Sequence, residues 1–277
     1  MHSGAGRPAK NRLVALARGL FSSARLACVA IAAATPCASL AADGVTTLSA
    51  GADFTSGNYG KSERTQVSAL QLGAKYETGR WTYRLSVPYL HISGPSNVVG
   101  VGADSVVLPG EVGDRRSVSG LGDVVAGATY NLFGGGSAAY ILDLGAKIKL
   151  ATADKGKGLG TGKNDVSVQA DVLKPIGALT PFATLGYRWY GDPPGTELKD
   201  AVFGSLGLAY AESATITLGT AYDFREAIAA GGARVSELTF FMSHRLERVW
   251  KLQVYFVKGL ADASPDAGAG VMLAYGF

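Results

Sequence analysis

Cysteine is nearly absent from this 277-residue chain, and both copies, Cys28 and Cys37, fall in its first 41 residues. With those set aside, neither a disulfide framework nor a thiolate metal site can be drawn. Histidine is as scarce, at three residues. His91 and His244 sit in no cluster of further histidines and carboxylates, so no metal site is predicted. Proline counts only 10 residues, and past residue 41 no apolar run reaches the ~20 residues that a membrane-spanning helix needs. A chain without such cross-links must hold together by burial and by closure of its sheet.

An excess of positive charge is also missing once the amino terminus is separated. Arg7, Lys10, Arg12, Arg18 and Arg25 precede a short apolar core, 26–34, which is followed by Pro36 and by Ser39-Leu40-Ala41 before Ala42. A basic lead, an apolar core and a small-residue cleavage site form a secretory signal. The chain is therefore predicted to divide into a signal, 1–41, and one exported domain, 42–277. The whole carries 26 Lys plus Arg against 22 Asp plus Glu, whereas 42–277 carries 21 against 22. The basic balance belongs to the signal, so nucleic acid is not expected as a partner. No motif asks for a cofactor.

What remains is glycine, 38 residues of it, and alternation with a period of two. The last segment sets Ala269, Val271, Leu273, Tyr275 and Phe277 against Gly268, Gly270, Ala274 and Gly276, with Met272 on the second side. The one before sets Trp250, Leu252, Val254 and Phe256 against Lys251, Gln253 and Tyr255, with Lys258 grouped on the polar side. Twelve such segments can be read, at 45–54, 63–77, 80–92, 118–132, 138–150, 165–174, 179–190, 199–210, 214–224, 234–246, 249–260 and 268–277. Five short turns alternate with six longer loops. Aromatics gather beside the short turns (Tyr76, Trp81, Tyr130, Tyr140, Tyr210, Trp250, Phe277) and beside the long loops (Phe54, Tyr89, Tyr187, Trp189, Tyr222, Phe224). An even strand number, unequal connections and two aromatic girdles predict an all-β fold, a transmembrane antiparallel β-barrel of about 12 strands. Its setting would be the outer membrane of a Gram-negative bacterium, with outer-membrane lipid as its surroundings. A carboxyl-terminal aromatic on the lipid side resembles outer-membrane barrel proteins, which implies Phe277 as a signal to the barrel assembly machinery.

The polar parity collects Glu63, Gln71, Lys75, Arg84, Asp123, Asp143, Lys147, Lys149, Asp165, Asp171, Arg188, Asp223, Arg225, Glu237, Arg245 and Lys251. An Arg or Lys facing lipid near the midplane would cost ~2–4 kcal/mol, so these belong inside. The candidate pore-lining residues are Arg84, Asp123, Asp143, Lys147, Lys149, Asp165, Asp171, Arg188, Glu237 and Arg245. They either line a wet path for a small-molecule solute or pair with one another and plug the interior, since about eight strands are filled by side chains and sixteen leave a channel. Gly73, Gly127, Gly145, Gly186, Gly207 and Gly219 share that parity and leave room for a narrow pore.

The loop 157–164, Lys-Gly-Leu-Gly-Thr-Gly-Lys-Asn, has the look of a phosphate cradle. A P-loop would need Gly at Lys157, Ser or Thr at Asn164 and a following helix, so an outer loop is predicted instead. The run Gly158-Leu159-Gly160-Thr161-Gly162-Lys163-Asn164-Asp165, then Thr180-Pro181-Phe182 and Gly186-Tyr187-Arg188-Trp189-Tyr190-Gly191-Asp192-Pro193, with Gly120-Leu121-Gly122-Asp123 before it, resembles the outer-membrane transporter family named after the meta-cleavage (MetA) pathway of phenol degradation. The resemblance implies a channel associated with uptake of hydrophobic or aromatic compounds. A different class is an outer-membrane lipid hydrolase using His91 and Ser93, which are two apart and so share the outward face, as a base and its nucleophile require. No Asn is placed to orient His91, because Asn97 belongs to the same loop. If the signal reading is right, the intact mass of the protein recovered from outer membranes corresponds to a chain that begins at Ala42. A mass that retains the basic segment would contradict it.

Overall fold

The first strand meets the last, and that pairing closes the sheet. The computed structural model describes residues 44–95, 98–99, 106–108, 115–134 and 140–277, so the predicted signal lies outside the described residues. The strands are β1 (Gly44–Gly57), β2 (Thr65–Thr78), β3 (Trp81–Gly94), β4 (Val98–Val99), β5 (Val106–Val107), β6 (Arg116–Leu121), β7 (Val124–Phe133), β8 (Ile141–Leu150), β9 (Asp165–Leu173), β10 (Leu179–Trp189), β11 (Ala201–Ala211), β12 (Ile216–Arg225), β13 (Val235–Arg245), β14 (Trp250–Gly259) and β15 (Ala267–Gly276). Each wall strand pairs antiparallel with its chain neighbour, and β1 pairs with β15 from Thr47 opposite Gly276 to Ser56 opposite Ala267. β6 and β7 together pair with β3 and act as one wall strand, so the closed barrel has twelve. β4 and β5 form a separate hairpin in the long loop after β3.

Alternation decides which side each residue takes. Leu185 and Leu206 are about 60% exposed on the outer face, while their neighbours Thr184 and Ser205 are buried and face each other in register. Aromatic rings stack at the short-turn end, where Trp81 lies 4.9 Å from Tyr130 and Trp250 4.8 Å from Tyr275. Tyr187 and Trp189 meet at 5.0 Å at the long-loop end. These are the interfacial bands of a membrane barrel. Phe277 continues the row by packing on Tyr275 at 4.8 Å, and its backbone N–H donates to the Thr46 carbonyl.

The wall opposite β3 departs from the sequence reading, which ran one strand through 118–132. Ser86 faces Val125, yet Tyr89 faces Leu121, so the register slips by one residue between them. Pro88 stands at that place and has no N–H to give the ladder, while its carbonyl accepts the Gly122 N–H at 2.8 Å. The slip reverses parity, because one extra residue turns every later side chain over. Val118 and Gly120 therefore face inward, and Ser117, Ser119 and Leu121 face out. Two further placements correct the sequence. Glu63 lies in the β1–β2 loop near Arg115, outside β2. Lys258 has the outward parity and donates to the Asp266 carbonyl at the long-loop end.

Leu185→Arg would put a guanidinium into the lipid-facing belt. It should lower unfolding free energy by ~2–4 kcal/mol in lipid vesicles, and an unchanged denaturant midpoint would contradict lipid exposure of that face.

Candidate functional site

Inward residues form rungs across the ladder, and the rungs decide which charges meet. Nine of the ten candidate residues lie on the inward parity of their strands, and Asp123 lies in the break between β6 and β7, where it meets the inward Lys149. Near the long-loop end, Val125 faces Lys149 and Lys149 faces Asp165. The Lys149 ammonium is 3.1 Å from the Asp123 carboxylate and 3.0 Å from that of Asp165, and it donates to the Thr161 hydroxyl at 3.2 Å. Asp123 also accepts the Ala153 N–H, and Asp165 the Gly191 N–H. One buried cation thus fixes the β8–β9 and β10–β11 loops to the wall.

The β8–β9 loop holds the glycine-rich run, and it folds inward instead of standing outside. Leu159 is fully covered and packs with Val67, Leu90, Ile92 and Ala153, against the inner side of β2 and β3. From the other side, Val106 of β5 packs with Tyr190, Leu198, Ala201 and Ile228. The hairpin that starts from β3 therefore reaches across the mouth to the β10–β12 wall. Tyr59, in the left-handed region at φ 49°, borders a 290 Å³ cavity at this mouth together with Lys61, Leu108, Ile228 and Asp262.

Towards the short-turn end, like charges face each other in register. Lys75 faces Arg84, and Arg245 faces Lys251. Asp143 faces Asp171, and nearer the long loops Asp223 faces Glu237. Asp143 accepts from the Asn131 amide at 2.6 Å. Asp171 accepts from the Gln169 amide and from the Thr184 hydroxyl at 2.6 Å. Lys147 faces Gly127 and Ser167, and its charge reaches Asp171. Arg188 lies over the rings of Tyr190 and Phe203, at 5.7 and 5.5 Å. Gln71 and Ser243 are wholly covered, so this interior is narrow.

Several contributors were not singled out from sequence. Asp53, on the polar parity of β1, accepts from the Gln71 amide at 3.4 Å. Glu77 is 2.7 Å from the Lys75 ammonium. Inward aromatics are the larger omission, because the ring tips of Phe182, Phe203 and Phe241 lie over Gly207, Gly186 and Gly219 on the neighbouring strands. Those glycines are thus platforms for rings instead of open space. Gly127 and Gly145 are likewise covered, by the stems of Lys147 and Gln169. An inward Phe matched to a glycine on the next strand is the signal for these pairs, and it becomes readable once the register is known.

His91 is exposed on the outer face about 26 Å along the barrel axis from Trp81, taking ten residues on a strand tilted by about 40°. That is the upper edge of the apolar belt. Its Nδ1 is 2.7 Å from Ser119 Oγ and its Nε2 3.5 Å from Ser117 Oγ, so its hydrogen-bond partners are the serines turned outward by the register slip, not Ser93. Among the described residues no group of His, Cys, Asp and Glu could hold a metal ion.

A closed twelve-stranded barrel with a lipid-facing belt and a charged, narrow interior defines an outer-membrane barrel protein. The chain belongs to the family described as "Putative MetA-pathway of phenol degradation", whose model matches residues 51–277. Its fold is similar to that of the COG4313 outer membrane channel from Pseudomonas putida F1 (17% identity, TM-score 0.61, covering 84% of this chain and 95% of that one). It is similar also to the KdgM porin (10% identity, TM-score 0.52, covering 83% and 99%) and to the translocator domain of the autotransporter NalP from Neisseria meningitidis (10%, 0.51, 97% and 93%). No curated protein matches the chain.

Lys149→Met would leave two buried carboxylates without their cation. It should cost ~3–5 kcal/mol of stability, read as unfolding free energy, and restoring neutrality with Asp123→Asn and Asp165→Asn should recover part of it. A neutral Lys149→Met variant would contradict the triad.

Proposed function

We propose that the exported chain is a passive, narrow channel for small solutes across the outer membrane, and that it is not an enzyme. The observation that carries this reading is the charged and polar interior enclosed by a lipid-facing wall. Charges are kept there at a cost in desolvation, which is reasonable if they meet water and a passing solute. The family's description and the channel and porin among the similar folds support the same class, with small organic compounds, aromatic ones included, as the cargo. In this reading residues 1–41 direct export, Phe277 engages the assembly machinery, and the ten candidate charges line the path. Selectivity comes from width and charge together. The mouth loops carrying Val106 and Leu159 set that width on the outer side.

The test is single-channel recording of the refolded exported chain in planar bilayers, with phospholipid hydrolysis assayed on the same preparation. Discrete conductance steps without hydrolysis are expected. Neutralising Lys147 and Arg188 to Gln should shift the reversal potential in a salt gradient towards cation preference. An unchanged reversal potential would remove both residues from the path. A silent bilayer with hydrolysis abolished by Ser119→Ala would overturn the channel reading.

A further inference from the structure

The half of the interior nearest the short turns holds cations that the protein itself does not neutralise. Among the described residues Arg84, Arg245 and Lys251 make no ion pair and no side-chain hydrogen bond. The charges acting on Lys251 are Lys75, Arg245 and Glu77, two of them of its own sign. Glu77 is already held by Lys75. The carboxylates that act on Arg84 besides Glu77 are Asp171 and Asp143, and both have amide or hydroxyl donors of their own. Between the rungs Lys75–Arg84 and Arg245–Lys251, β1 and β15 place only small uncharged residues inward: Thr47, Ser49, Ala274 and Gly276. Cations drawn out of water without a partner are costly, and here Arg245 and Lys251 face each other beside an uncluttered stretch of wall.

The rungs above them on β13 and β14 complete a pattern. Arg245–Lys251 is followed on the same inward face by Ser243–Gln253 and then by Phe241–Tyr255. The Ser243 side chain is wholly covered, and its hydroxyl has no hydrogen-bond partner. Phe241 packs against an apolar cluster of Ile141, Leu173, Phe182 and Ala221. Four residues of strand separate the cationic from the aromatic rung, about 13 Å between backbones, and the long Arg and Lys side chains shorten the gap between their groups.

We propose that this part of the interior is a binding site for an aromatic carboxylate. The inference rests on the channel reading and names its solute class. The carboxylate lies between Arg245 and Lys251, which face each other in register. The solute's ring lies against Phe241 and Tyr255, the next aromatic rung on the same inward face. Charge-assisted hydrogen bonds fix the head, and ring stacking fixes the body.

The experiment is equilibrium dialysis of labelled 3-phenylpropionate and of its neutral analogue 3-phenylpropanol against the refolded exported chain in micelles, with protein-free micelles as the blank. The carboxylate should bind at least about tenfold more tightly than the alcohol, a difference of about 1.4 kcal/mol, and Arg245→Gln with Lys251→Gln should abolish that preference. Equal binding of the two compounds by the unaltered protein, or no binding of the carboxylate, overturns the proposal without any variant having to fold. Binding does not require conduction, so the two readings fail separately. A silent barrel that prefers the carboxylate contradicts only the channel, and a conducting barrel with no preference contradicts only the site.

Discussion

Satisfying every backbone N–H and C=O in lipid without water requires the sheet to close on itself, and the rest of the molecule follows from that closure. Once β1 pairs with β15, no strand edge is left in the wall, and each residue can point only outward or inward. Outward positions collect Leu, Val and aromatic side chains because lipid is there. Inward positions collect nearly all the charge of the strands, and within so narrow a ring charges on neighbouring strands must face one another. The like-charged rungs Lys75–Arg84, Arg245–Lys251, Asp143–Asp171 and Asp223–Glu237 arise in this way.

The interior answers this crowding differently at its two ends. Near the long loops one ammonium serves two carboxylates and two loops, so charge is used for holding the structure together. Apolar loop residues then cap the mouth from opposite sides, Leu159 over β2 and β3, Val106 over β10 to β12. Near the short turns, Asp143 and Asp171 are satisfied by amides and hydroxyls, while among the described residues Arg84, Arg245 and Lys251 form no ion pair. A purely structural plug would pair them, because each unpaired buried charge weakens the fold. The difference between the ends separates the charges that build the barrel from those that can meet a solute.

Strand number, the alternation of short turns with long loops, and the inward parity of the charges were legible in the sequence because each depends on a period of two or on turn residues, both local. What was hidden depends on contacts between strands. Pro88 does not announce from its own strand that the partner slips by one, so the outward turn of Ser117 and Ser119 stays hidden, and parity offers His91 Ser93 as a partner where the hydrogen bonds go to Ser119 and Ser117. The inward fold of the glycine-rich loop depends on where Leu159 finds apolar cover, on strands about 70 to 90 residues away in the chain. Alternation alone extends β2 to Glu63, because parity carries no information about where a strand ends, and the strand begins at Thr65. The ring-on-glycine pairs could have been found by matching inward Phe to glycine across neighbouring strands, and that match needs the register first.

A channel requires that the inward face line one continuous wet path. Residues 42–277 contain no cysteine, so single cysteines can be placed in that part of the chain at inward Ser49 and Ala274 and at outward Leu185, and a charged thiol reagent added to either side of a bilayer. Such a path requires that both inward sites react from both sides and lower the current stepwise, while the outward site stays unmodified. Inward cysteines that remain unreactive in the folded, inserted barrel would mean a sealed interior and would contradict it.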